Sequence, residues 1–169
     1  MEPTLSGDAK ADAEKFPMTA ELYAYWSELP SAPRPAWADV DLMTIYRIAP
    51  LIFVADVISP TGGTNQFVYR FVGTRIVDIF GVDATGKAVE EAFEGDRAQK
   101  IIEAYRYVIE AGKPQLGIRQ QANRERGHVR MAVLTVPLFD AAGKVDMLMG
   151  INDFSVMDAD EVRHFRGHL

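Results

Sequence analysis

Residues 134–155 read LTVPLFDAAGKVDMLMGINDFS. Two apolar runs flank FDAAGK, a connector of hairpin length that carries an acid and a glycine, so the segment predicts two antiparallel strands. Upstream, QLGIRQQAN and HVRMAVLTVPL are joined by RERG, again of hairpin length. The three runs therefore predict a meander. VLTV and MLM are apolar at consecutive positions, so both faces of this sheet call for burial.

Working outward, DRAQKIIEAYRYVIEAGKP predicts the clearest helix, over 96–111. Asp96 is its expected N-cap; Ala98, Ile101, Ile102, Tyr105, Val108 and Ile109 form its stripe, and Gly112 and Pro114 mark its end. Before it, TRIVDIFG has helical spacing ended by Gly81. PLIFVADVIS and NQFVYRFVG predict two strands around the turn TGGTN. Strand parity places Phe67, Tyr69 and Phe71 on one face and Val68, Arg70 and Val72 on the other.

Further upstream, MTAELYAYWSELP predicts a helix over 18–29 with Thr19 as N-cap and Leu22, Tyr25, Trp26 and Leu29 on one face. SAPRPAW is a stiff connector, and DVDLMTIYRIAP predicts a short second helix. Residues 1–16 are small, charged and unpatterned, as expected of a mobile tail. The order of two helices, two strands, a run of helices and three strands predicts a five-stranded α+β domain.

The chain has 169 residues, about one domain, and 48% hydrophobic with 25% charged residues is ordinary globular composition. A net charge of −6 repels nucleic acid and anionic lipid, so neither is an expected partner. With no cysteine, disulfides, thiolate nucleophiles and cysteine-based metal sites are excluded. The start has no apolar leader and no run reaches the ~20 residues of a membrane span, so a soluble, cytoplasmic protein is expected.

Gly81 to Lys87 spells G-x-x-x-x-G-K, most of a phosphate-binding loop. The hydroxyl that should follow the lysine is replaced by Ala88, and the preceding RIVDIF has helical rather than strand periodicity, so the two glycines read as helix punctuation. His164 and His168 have metal-compatible i, i+4 spacing, but no carboxylate is fixed beside them at the C-terminus; His128 sits at a hairpin. Glu90, Glu91, Glu94 and Asp96 read as a solvated face. Met131, Met147 and Met149 read as core filler, with a heme ligand or pocket wall as the alternative.

Three segments resemble the PAS domain family. VGTRIVDIFGVDATGK is similar to a PAS strand entering its short helices, and 96–111 takes the place of the long PAS helix. LTVPLFDAAGKVDMLMGINDFS resembles the closing hairpin with its terminal Asp-x-Ser/Thr. The wider pattern W…D…YR..GT…G.D.TGK resembles a bacterial subfamily of small stand-alone PAS proteins. The resemblance implies a five-stranded antiparallel sheet with short helices and one long helix across one face, preceded by N-terminal helices. It divides the chain into a tail (1–16), a helix and proline-rich connector (17–38), the PAS-like domain (39–155) and a C-terminal tail or short helix (156–169). Two departures touch the usual pocket: Gly73 stands where many relatives carry Asn, and the loop between Gly81 and Gly86 is short.

The family implies sensing or protein docking rather than catalysis. A flavin–cysteine adduct is impossible without cysteine, and 96–111 offers no histidine for heme, so no cofactor is expected. A heme held by Met or Arg is the remote exception. With fourteen residues after Ser155, no attached output domain is expected, and output should pass through an unknown signalling protein partner. The expected pocket residues are Phe53, Tyr69, Arg70, Tyr105, Arg119, Gln121 and Met131, around a small-molecule ligand. Arg119 and Gln121 share strand parity, so they face either an acidic or amide ligand together or water. Arg70 either reaches an anion in the pocket or pairs with an acid such as Glu21 or Glu28; pairing is favoured because an unpaired buried guanidinium is costly. Leu22, Tyr25, Trp26 and Leu29 are the expected cap of the outer sheet face or of a homodimer mate. The competing reading is a cone-fold enzyme of the ketosteroid-isomerase type with Asp56 as base, and strand order separates the two.

Overall fold

A computed structural model describes residues 5–123 and 127–157. Strands β1 (Ile52–Ile58), β2 (Gln66–Val72), β3 (Gln115–Asn123), β4 (Gly127–Phe139) and β5 (Val145–Asp153) form one antiparallel sheet. Its order is β2-β1-β5-β4-β3, with the first strand inside the sheet. The closing hairpin is made by Asp140, whose Oδ1 accepts from the Ala142 and Lys144 amides at 2.9 Å. A short acidic side chain supplies there the turn bonds that the backbone would otherwise lack.

Helices α1 (Ala9–Ala13), α2 (Pro17–Ser27), α3 (Thr74–Phe80), α4 (Val89–Ala92) and α5 (Gly95–Ala111) complete the elements, with single 3₁₀ turns at Trp37–Asp39, Ala49–Leu51 and Phe154–Val156. The stretch 39–50, expected as a second helix, is instead turns leading into the Ala49–Leu51 turn. The segment 9–13, expected within a mobile tail, is helical. It is held by the buried Asp12 carboxylate, which accepts from the Ser6 amide (2.8 Å) and hydroxyl (2.9 Å), the Gly7 amide (2.9 Å) and Lys15 (2.7 Å). Burial works to raise its pKa, but these donors outweigh it and hold the carboxyl well below its ordinary range.

Both sheet faces are buried, by different parts of the chain. On the inner face α3–α5 enclose Phe53, Phe67, Tyr69, Ile102, Tyr105, Val133 and Leu148. On the outer face α2 and the 37–51 segment cover Val54, Leu134, Val136, Met149 and Ile151. Leu22, Trp26 and Leu29 of the expected stripe are buried there, and Tyr25 is half-buried against the same cluster. The helix thus covers its own sheet. Its start also differs from the expectation. Phe16 is the N-cap, Thr19 lies inside the first turn, and the Met18 amide donates to the carboxylate of Asp153, 2.7 Å away and 135 residues later. Trp26 fastens the other end by donating from Nε1 to the Pro137 carbonyl (2.9 Å).

Strand β2 departs from simple alternation. Val54 pairs with Phe71 and Ala55 with Tyr69, so Arg70 is the extra residue of a bulge. One inserted residue returns Phe71 to the outer face, while Tyr69 stays inside. That corrects the shared face expected for Phe67, Tyr69 and Phe71.

Candidate functional site

The inner face does not close completely over the sheet. A cavity of about 620 Å³ lies between the sheet and α3–α5. Its walls include Phe53, Tyr69, Tyr105, Arg119, Gln121 and Met131, six of the seven residues expected at the pocket. Register explains the two polar ones. Arg119 pairs with Met131 and Gln121 with Val129, both in the inner cluster, and directly paired residues share a face. Arg119 and Gln121 are half-buried on the cavity wall rather than out in water.

Arg70 is not part of the cavity. As the bulged residue on the exposed side of β2, it donates from Nε to Asp56 Oδ1 at 3.0 Å. Its partner is the neighbouring strand's acid, not Glu21 or Glu28. Asp56 therefore sits in an exposed ion pair outside the cavity, which removes the feature a cone-fold base would need, an apolar pocket around the carboxyl.

The floor is aromatic. The Tyr69 and Tyr105 hydroxyls lie 3.0 Å apart, the rings of Phe53 and Tyr105 stack at 5.9 Å, and Phe53 and Phe67 flank the pair. Phe53 lies directly on Gly150, where any Cβ would collide with its ring; β5 needs a glycine to let the ring down onto the sheet. Burial pushes both tyrosine pKa values up. For Tyr69 this is opposed by the bond to Tyr105 and by the charges of Arg119 and Arg97. Neither phenol can serve as a base near neutral pH.

Arg97, which the sequence reading missed, contributes the most unusual group. Its guanidinium lies 4.0 Å from the Phe93 ring centre and 5.0 Å from that of Phe80, and its Nε is buried without a hydrogen-bond partner. Burial pushes its pKa down to about 10. The signal was present. Arg97 stands four residues before Ile101 and eight before Tyr105, in register with the apolar stripe of α5. Lys100 and Asp96 line the exposed rim. Glu94 rather than Asp96 is the N-cap of α5, which begins at Gly95, a residue whose left-handed φ of 57° suits glycine.

The phosphate-loop-like string forms an edge instead of a cradle. Gly86, at φ 81°, donates its amide to the Tyr69 carbonyl (2.7 Å), and the Lys87 carbonyl accepts from the Tyr69 amide (3.0 Å). Lys87 is exposed, and α4 starts at once behind Ala88, whose amide is held by Glu91. The segment thus closes the outer edge of β2 and forms the cavity wall at Val82 and Ala84. Glu90, Glu91, Glu94 and Asp96 are exposed as expected. Met131 reaches the cavity, while Met147 and Met149 pack on the opposite face. His128 is exposed; His164 and His168 lie outside the described residues. Among the described residues no cluster of His, Asp or Glu could hold a metal ion.

The sheet order, the helix across it and the cavity between them agree with one family model, described as PAS domain, which matches residues 14–152. The chain belongs to the PAS domain family. None of the curated proteins matches it by sequence. Among solved structures, a Light-Oxygen-Voltage domain studied with a flavin analogue superposes with a TM-score of 0.50 at 16% identity, over 75% of this chain and 92% of that one. The Rhodobacter sphaeroides LOV protein gives 0.50 at 10% identity, over 72% of each chain. VqmA bound to DPO gives 0.53 at 13% identity, over 72% of this chain and 59% of that one. These likenesses show the shared PAS/LOV fold.

Proposed function

We propose that this PAS domain is a ligand-responsive signalling module, not an enzyme. A small molecule between the sheet and α5 would alter contacts with a signalling protein partner. The observation that carries the reading is the cavity itself. Its volume falls within the ~300–1,000 Å³ of small-molecule sites, with mainly apolar walls and a few convergent polar groups. A structural neighbour solved with DPO bound supports the idea that this fold accommodates such molecules. Against catalysis stands the inventory of the walls, where among the described residues the only carboxylate is Asp96 at the exposed rim.

The reading includes a cytoplasmic location; among the described residues no helix is long and apolar enough to cross a membrane. It also includes a homodimer. With the apolar face of α2 seated on its own sheet, this reading puts the dimer surface elsewhere, and light scattering reads the oligomeric state. The decisive experiment is native mass spectrometry on protein purified from its own host, with an absorption spectrum of the same sample. The expected result is a small added mass in colourless protein. A Soret or flavin band would overturn the cofactor-free reading, and a bare chain mass in host extract would overturn the ligand.

A further inference from the structure

The cavity carries more positive charge than the fold requires. Arg97 from α5 and Arg119 from β3 both line it, and the charge of each is felt at the Tyr69 hydroxyl. Among the described residues the only ion pairs are Lys15–Asp12 and Arg70–Asp56, so neither cavity arginine has a carboxylate partner. At the rim Lys100 and Asp96 oppose each other in sign, which leaves the two arginines as the net charge inside. A guanidinium whose buried Nε finds no acceptor among the protein groups is costly. Aromatic faces offset part of that cost but accept no hydrogen bond along the guanidinium plane.

Resting on the sensory reading above, we propose that the cavity takes an amphipathic organic anion. Its oxyanion head is held between Arg97 and Arg119, with Gln121 as a further donor, and its apolar body lies on Phe53, Ile76, Ile101 and Met131. The fork of an arginine matches a planar or tetrahedral oxyanion, and a head reached from both the helix and the sheet couples ligand to the relative position of the two.

A pair of fluorescent probes with nearly the same body tests this on the full chain. 8-Anilinonaphthalene-1-sulfonate is an anion, and N-phenyl-1-naphthylamine is its uncharged counterpart. The expected result is one saturable site for the sulfonate, at least about tenfold tighter than for the amine, the effect of one charge-assisted bond. Arg97→Gln and Arg119→Gln should each remove about tenfold of sulfonate affinity and leave the amine unchanged. Arg47→Gln, at an exposed arginine away from the cavity, should change neither. Equal binding of both probes, unmoved by the cavity variants, overturns the anion and leaves the ligand-binding reading standing. An equal loss in Arg47→Gln shows surface attraction and also overturns it. If neither probe binds at one site, the ligand-binding reading falls too. A second measurement separates anchor from structural pin. Arg97→Met keeps the apolar contact and removes the unpaired charge, so the ligand-free melting temperature should hold or rise. A fall of more than about 4 °C would mean Arg97 is structural and would overturn the proposal.

Discussion

Replacing Trp26 by alanine should bring the protein close to unfolding. The side chain is 5% exposed against Leu134, Val136 and their neighbours, and its Nε1 donates to the Pro137 carbonyl at 2.9 Å. Truncating a buried tryptophan costs about 3–5 kcal/mol through lost transfer energy and the cavity left behind. The Pro137 carbonyl then loses its donor, for about 1–3 kcal/mol more if water does not reach it. Against a typical total of ~5–15 kcal/mol, that is about a fifth of the stability at the least and all of it in a marginal protein. Trp26→Phe keeps most of the ring and removes the hydrogen bond, so it should lose only the smaller part. Urea denaturation followed by far-ultraviolet circular dichroism measures both, since only one other tryptophan, Trp37, remains to fluoresce. The midpoint should fall at constant m-value. A loss below about 1 kcal/mol in Trp26→Ala would refute the claim that α2 holds the outer face.

Two further expectations follow from single contacts. The folded Asp12 carboxyl titrates below the ordinary aspartate value of 3.8, so its contribution to stability is complete above that pH and is lost as pH falls below it toward the folded value. Wild type should therefore exceed Asp12→Asn in stability at pH 7, with the gap narrowing on acidification below about pH 4; a gap independent of pH would contradict the ionised cap. Gly73→Asn should destabilise by at least about 1–3 kcal/mol. Any Cβ there meets the backbone carbonyls of Ala49 and Pro50, and a melting temperature equal to wild type would show that this turn yields freely.

The elements legible in the sequence are those whose causes are local. The closing hairpin announces itself through Asp140 and Gly143, and α5 through six apolar residues at helical spacing ended by Gly112. The cavity wall at Arg119 and Gln121 follows from parity alone, because β3 pairs with β4 in unbroken register. Parity failed in β2, where one bulged residue leaves no trace in composition yet reverses every side chain beyond it. Arg97 escaped because charged residues in a first helical turn read as solvated, although its spacing placed it on the apolar stripe. The start of α2 was misplaced for a different reason. Its capping carboxylate belongs to Asp153, and no window of local sequence contains both.

That bond has a consequence for how the chain is made. The helix covering the outer face is synthesised first, and the strands it covers are synthesised last. At ~5–20 residues per second, the 135 residues between Met18 and Asp153 take roughly 7–27 s to appear. Through most of that interval Leu22 and Trp26 lack the strands β4 and β5 they pack on, and β1 has its hairpin partner β2 but not yet β5 beside it. Completion waits for the final strand, so a ribosome stalled anywhere before β5 holds a nascent chain with both the helix stripe and the sheet face still open to other proteins.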